Sequence, residues 1–269
     1  TAPPPHFRAV ASLLTCQRAG VRIPATMYAL ILAGGKGERL RPLTDEVPKP
    51  MVQVSGRPIL WHQVRRLADA GVTDVVFLVG YLGEVVEEYF GDGKEFGIRA
   101  HYSREDSPLG RGGALKKGFA ALGEVAGPVL ATNGDVITDA DAGRLVADYR
   151  RRQGENPSHA ASILTVPMVS PYGIVDACAG GTVRQFREKI PLPYLINGGM
   201  YALDPGIREL LPDRGDHETT TFPELAAAGR MSAVQTNEFW RSVDSLKDLR
   251  EVEERLAGGF TTAADRMLS

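Results

Sequence analysis

The chain has little cysteine, no excess of one charge and no long apolar run, and each absence removes a class of function. Only Cys16 and Cys178 occur in 269 residues, too few for a disulfide framework and too far apart for a close thiolate pair on a metal. That scarcity fits a reducing compartment, and the expected location is the cytoplasm. The formal net charge of −2 gives no basis for a nucleic-acid partner or an anionic membrane surface. No apolar stretch approaches the length of a bilayer span. The five histidines, His6, His62, His101, His159 and His217, show no zinc spacing, and His62 reads as a packing residue. Phosphate-binding signatures of two common kinds are also missing. Lys36 is followed by Gly37, so the P-loop pattern fails, and Leu40 stands where a dinucleotide fingerprint needs its third glycine. What remains is 43% hydrophobic and 24% charged residues, the balance of a globular protein able to bury one sizeable core.

The densest signal lies between residues 32 and 50. Tyr28-Ala29-Leu30-Ile31-Leu32 is an apolar run of the kind that makes a buried strand. Gly34, Gly35 and Gly37 follow it. They let the backbone turn sharply, approach a ligand closely and point N–H groups at phosphate. Arg39 and Lys49 add positive charge, and Pro48 and Pro50 flank Lys49. Strand, glycine turn and two cations together predict a triphosphate site.

Downstream, apolar runs alternate with amphipathic stretches. Helices are expected over 59–70, 84–90, 113–122 and 141–152, and strands over 75–79, 98–102 and 128–132. This alternation predicts an α/β sheet covered by helices. After residue 155 the pattern shifts to strands at 161–166, 173–176, 182–186 and 200–203, then returns to helix at 221–228 and 244–256. Residues 1–26 read as a separate leader with Pro3-Pro4-Pro5 and a short stripe of Phe7, Val10, Leu13 and Leu14. The leader is expected to be mobile or loosely packed and dispensable. Residues 27–258 read as one domain and 259–269 as a tail.

The run G-G-x-G-x-R-L-x-P-L-T followed by Pro48-Lys49-Pro50 resembles the sugar-1-phosphate nucleotidyltransferases, also called NDP-sugar pyrophosphorylases. The resemblance continues through Gly56-Arg57-Pro58-Ile59-Leu60, Asn133-Gly134-Asp135, Glu188-Lys189, Asn197-Gly198-Gly199 and Trp240 to Asp248, covering roughly residues 27 to 257. It implies a Rossmann-like mixed β-sheet flanked by helices, with a sugar-binding sub-region added after the nucleotide half. The implied reaction joins an NTP to a sugar 1-phosphate and releases pyrophosphate, with Mg²⁺ as cofactor. The nucleophile is already an anionic phosphate oxygen, so positioning and charge neutralisation are the enzyme's task.

Carried over by motif, Leu32, Gly34, Gly35, Gly37, Gly80, Glu105, Gly110 and Gly113 would surround the nucleotide. Arg39, Lys49 and Lys189 would be the catalytic cations. Gly173, Glu188, Lys189, Asn197 and Gly198 would hold the sugar phosphate. Asp135 would be a Mg²⁺ ligand, since a carboxylate among phosphates otherwise repels them. Many relatives place a second aspartate two residues after the tryptophan, but this chain has Ser242 there. Trp240-Arg241-Ser242-Val243-Asp244 resembles instead the W-x-x-M-D-T-L variant of glucose-1-phosphate cytidylyltransferases, which makes Asp244 the second ligand. The competing role for Asp244 is the N-cap of the helix that follows.

The base is left open. Pro108-Leu109-Gly110-Arg111-Gly112-Gly113-Ala114 looks like guanylyltransferases of the mannose and heptose type and like a muramic uridylyltransferase. Pro58 to His62 and Asp244 look cytidylyltransferase-like. Glu105 could read guanine through its N1/N2 donors, and Arg111 stands where a small residue is common. Two other functions stay in view: a cytidylyltransferase for a non-sugar phosphate or phosphonate, and a non-catalytic relative that binds NDP-sugars. A homo-oligomer is left open.

Overall fold

The computed structural model describes residues 27–258; the expected leader (1–26) and tail (259–269) lie outside the described residues. Thirteen strands are present among them: β1 (Tyr28–Leu32), β2 (Gln53–Val54), β3 (Arg57–Pro58), β4 (Asp74–Val79), β5 (Arg99–Arg104), β6 (Val129–Asn133), β7 (Val136–Thr138), β8 (Ala161–Val169), β9 (Ile174–Ala177), β10 (Val183–Arg187), β11 (Pro191–Leu203), β12 (Met231–Gln235) and β13 (Trp240–Ser242). The helices are α1 (Ile59–Asp69), α2 (Gly83–Phe90), α3 (Gly110–Leu122), α4 (Ala142–Glu155), α5 (Thr221–Ala227) and α6 (Leu246–Ala257).

Seven strands form one sheet in the order β12-β8-β11-β6-β1-β4-β5. β5, β4, β1 and β6 run parallel, while β11 is antiparallel to both β6 and β8. The sheet is therefore mixed, as the family resemblance implied. Helices cover both faces, which is why the central strands β1 and β4 read as apolar runs. In β4, Val75, Phe77 and Val79 pack in one core with α1, α2 and α4. Val76 and Leu78 point the other way, into a core with α3 and α5. A third cluster joins Val52, Val54 and Ile59 to Ile137 and to Leu249 and Val252 of α6.

Two features of this topology position a site. From β1 the chain goes on to β4 on one side, while β6 lies on the other. The crevice beyond their carboxyl ends is a topological switch point, where open α/β sheets bind ligands. Outside the main sheet, β7 and β13 form an antiparallel ribbon with Ser242 opposite Val136. Val243 N–H donates to the carbonyl of Asp135 at 2.9 Å. This ribbon brings the chain at 135 and the chain at 244 side by side across 109 residues of sequence.

The sequence expectations for the first half hold to within a few residues. In the second half β11 is much longer than the expected 200–203, running 13 residues from Pro191, and β12 was not anticipated. Pro191, Pro193 and Asn197-Gly198-Gly199 look like turn residues, but β11 accommodates them in register shifts against β8 at 191/195 and 197/201. The helix expected from 244 starts later. Ser245 is the N-cap of α6, its side chain accepting from Asp248 N–H, so Asp244 is not the cap.

Candidate functional site

β1 ends at Leu32 and β6 at Asn133, opposite each other in register. The glycine turn leaves from the first and Asn133-Gly134-Asp135 from the second. The two loops touch: Gly134 N–H donates to Leu32 O at 2.9 Å, and a Cβ at 134 would stand 2.5 Å from that oxygen. Only glycine permits this approach. A Cβ at Gly34 would lie 3.3 Å from the backbone nitrogen of Gly80, which places Gly80 directly behind the turn.

Gly37 has φ +64° and starts a short 3-10 turn over Glu38–Leu40. A Cβ there would stand 2.7 Å from Lys49 Cβ. The buried Thr44 holds the turn from behind, its hydroxyl donating to Gly37 O at 2.9 Å, and Lys49 N–H donates to Gly35 O at 3.3 Å. The glycine turn thus shapes the seat of Lys49 as well as any ligand surface. Gly37→Ala is expected to cost about 1–2 kcal/mol through left-handed strain alone, and to displace Lys49. A thermal melt and kcat measured together check this; a parent-like result in both would mean that the seat is not tight.

Lys49 leads into a four-residue charge cluster. Its ammonium group donates to Asp135 Oδ2 at 2.6 Å and to Asp244 Oδ1 at 2.6 Å. Arg39 Nη2 donates to the same Asp244 oxygen at 2.7 Å, and Ser242 Oγ donates to Asp244 Oδ2 at 3.0 Å. Lys49 is only 12% exposed, whereas Arg39 is 76% exposed. Burial pushes the Asp244 carboxyl up, but hydrogen bonding and charge from Lys49, with Ser242 and Arg39, outweigh it and hold the group below the usual carboxylate range.

Lys49 and Asp135 line a cleft of about 310 Å³. Leu32, Gly34, Gly35, Asn133 and Gly134 line it too, with Glu105, Gly110 and Arg111. Glu105 Oε2 accepts from Leu109 N–H at 3.0 Å and fixes the loop before α3. Gly113 is not part of this lining. A Cβ on it would meet Asp213 O at 2.5 Å, so it serves the packing of α3 on the 212–217 loop.

The residues expected to hold the sugar phosphate separate into two groups. Asn197 and Gly198 sit in the β11 bulge beside the cleft. A Cβ on Gly199 would stand 2.8 Å from Asn133 Nδ2, and Trp240 Nε1 donates to Gly198 O at 2.8 Å. Glu188 and Lys189 lie in an exposed strand-connecting segment after β10, where Lys189 has φ +51°. They make no hydrogen bond or ion pair with the Lys49 cluster among the described residues. Gly173 lies against Phe186, whose ring atoms would stand 2.3 Å from an added Cβ; its missing side chain serves the β9–β10 hairpin.

This geometry accompanies a clear family match. The family model described as nucleotidyl transferase matches residues 28–258. The chain belongs to the nucleotidyl transferase family. Among its relatives, mannose-1-phosphate guanyltransferase of Saccharomyces cerevisiae is 36% identical over 229 residues, covering 82% of this chain and 62% of that protein. Mannose-1-phosphate guanyltransferase beta-B of Xenopus laevis is 36% identical over 227 residues with the same coverage. The chain therefore spans less than two thirds of the length of these relatives. Among solved structures, HddC from Yersinia pseudotuberculosis aligns with TM-score 0.65 at 26% identity, over 86% of this chain and 100% of that one. A UDP-glucose pyrophosphorylase complexed with UDP-glucose shares the fold, with TM-score 0.66 at 18% identity over 87% of this chain and 99% of that one. No helix among the described residues is long and apolar enough to cross a membrane.

Three further residues, outside the expected site set, hold this region together. Ser242 orients Asp244, Arg111 is fully engaged in ion pairs, and Glu218 accepts from both Arg111 and Asn197. For Ser242 and Arg111 a signal existed, since each departs from the usual family residue. For Glu218 there was none.

Proposed function

We propose that this protein transfers a nucleoside monophosphate from an NTP to a sugar 1-phosphate, with GTP and mannose 1-phosphate the favoured pair. The observation that carries the reading is that Lys49 and Asp135, which line the glycine-rich cleft, converge with Asp244 and Arg39 in one charge cluster. Guanine is favoured because the relatives reported above are mannose-1-phosphate guanyltransferases. Glu105 is in place on the cleft wall, with one carboxylate oxygen not engaged by the loop it fixes. The alternatives of a phosphonate cytidylyltransferase and a non-catalytic relative have no comparable support.

In the reaction, a phosphate oxygen of the sugar 1-phosphate attacks the α-phosphorus of the NTP. The new P–O bond forms as the bond to the bridging oxygen breaks, and pyrophosphate departs. Backbone N–H groups of the turn at Gly34 to Gly37 would cradle the triphosphate. Arg39, long and exposed, would follow the departing pyrophosphate. Lys49 would neutralise charge near the reacting centre, where that charge redistributes in the transition state.

Asp135 and Asp244 fit a divalent cation. Both direct an oxygen to the same ammonium group at 2.6 Å, and these two carboxylates would hold the ion. Two carboxylates are the usual protein share of a Mg²⁺ site, with substrate phosphates and water supplying the rest. No group of three or more ligating side chains occurs among the described residues. When bound, Mg²⁺ would supply Lewis-acid polarisation and charge neutralisation at phosphate oxygens.

A matrix of NTPs against sugar 1-phosphates, read by pyrophosphate release, tests the proposal. GTP with mannose 1-phosphate should give the highest kcat/KM. A clear preference for CTP would overturn the guanine reading.

Asp244→Asn isolates the second metal ligand. Ser245 caps α6, so this change should leave the helix and the fold in place. It should raise the Mg²⁺ concentration for half-maximal rate and lower kcat, because the amide cannot offer a hard cation a charge. Unchanged Mg²⁺ dependence would leave Asp244 as a structural partner of Lys49 alone.

A further inference from the structure

Glu218 lies between two elements that border the cleft. Arg111, at the start of α3, lines the cleft and donates through Nη1 to Glu218 Oε1 at 2.9 Å. From the other side, Asn197 Nδ2 donates to the same oxygen at 2.9 Å and Tyr201 OH donates to it at 3.3 Å. Asn197 belongs to the bulge whose Gly199 packs on Asn133 of the cleft wall. The backbone is held as well, Glu218 N–H donating to Asp216 Oδ1 at 3.0 Å.

This arrangement clamps one carboxylate oxygen and leaves the other unused. Oε1 accepts three hydrogen bonds, while Oε2 has no partner among the described residues, and the side chain is 27% exposed. A carboxylate held rigidly by one oxygen presents the other as a preorganised acceptor. Arg111 also pairs with Asp216 through Nε, so the region carries two carboxylates against one guanidinium. An extra anion would repel the phosphates of either substrate. A hydroxyl donor is the substrate group that suits it, and a sugar ring supplies several.

Asn197, in contrast, is consumed by the protein. Its amide nitrogen donates to Tyr201 OH and Glu218, and its Oδ1 accepts from Gly199 N–H at 2.9 Å. The motif match assigned Asn197 to the sugar, but it is better placed to orient Glu218 than to present its amide nitrogen to a ligand.

We propose that Glu218 is a specificity-determining contact, whose free carboxylate oxygen accepts a hydrogen bond from a ring hydroxyl of the acceptor sugar phosphate. The inference rests on reading the cleft as a sugar-1-phosphate nucleotidyltransferase site. Glu218→Gln separates contact from clamp. The three donors keep the amide oxygen in the Oε1 position, so an NH₂ group replaces the free oxygen and cannot accept. The variant should melt with the parent and keep its KM for GTP. Its KM for mannose 1-phosphate should rise about tenfold or more, the loss expected for a hydrogen bond to a charged acceptor. Monodeoxy mannose 1-phosphates should identify one hydroxyl that the parent requires and the variant ignores. Calorimetric binding of mannose 1-phosphate to both proteins gives a readout free of turnover. Weaker binding by the variant supports the contact even if the parent fails to transfer nucleotide, a result that would sink only the transfer reading. Equal sugar-phosphate affinity in the two proteins, or equal rises in both KM values with a lower Tm, would overturn the proposal and leave Glu218 a clamp.

Discussion

Replacing Asp135 by Asn is expected to lower kcat by on the order of 10²-fold or more while the protein stays folded. Asn keeps the shape of the side chain and can still accept the hydrogen bond from Lys49. The backbone bond from Val243 N–H to residue 135 is unaffected, so the ribbon of β7 and β13 should persist. What disappears is the negative charge at the end of β6, the property a hard cation needs. Pyrophosphate release at saturating Mg²⁺ reads the rate, and a circular dichroism melt reads the fold. Near-parental activity would overturn the proposed metal role of Asp135.

Lys49→Ala should have an effect of comparable size with a second signature. The ammonium group is largely buried and neutralises two carboxylates at once. Its removal leaves Asp135 and Asp244 facing each other with only the exposed Arg39 beside Asp244. Like charges at this spacing repel, so the variant should melt below the parent in the absence of metal and recover on addition of Mg²⁺. Its kcat should fall by on the order of 10²-fold because the charge acts where the transition state needs it. Arg39→Ala should leave the melt nearly unchanged and also lower kcat more than it raises the KM for NTP. If Lys49→Ala raised only the NTP KM, the group would aid binding without acting in the chemical step.

Local chemistry made half of this site readable in the sequence. The apolar run of β1, the glycine turn and the strand that ends in Asn133-Gly134-Asp135 each carry their own pattern, and the sheet sets β1 and β6 side by side. The other half depends on pairings between distant segments. Nothing near Asp244 states that its strand pairs with the residues after Asp135, and that ribbon is what joins the two carboxylates. Ser245 could not be preferred over Asp244 as the cap of α6 without the hydrogen bond to Asp248 N–H, because both residue types cap well. β11 was hidden by prolines and glycines that normally mark turns and here sit in a long, irregular strand. Glu218 lies 107 residues from Arg111 and 21 from Asn197, so its role exists only in the folded chain.

The most direct test follows the α-phosphorus itself. Parent protein would be incubated with Mg²⁺, mannose 1-phosphate and GTP labelled at either the α- or the γ-phosphorus. The account predicts that α-label moves into the nucleotide sugar, that γ-label leaves as pyrophosphate, and that both depend on the sugar phosphate. Label remaining in GTP, or γ-label released as inorganic phosphate with GDP left behind, would contradict attack at the α-phosphorus and with it the assignment of the Lys49, Asp135 and Asp244 cluster.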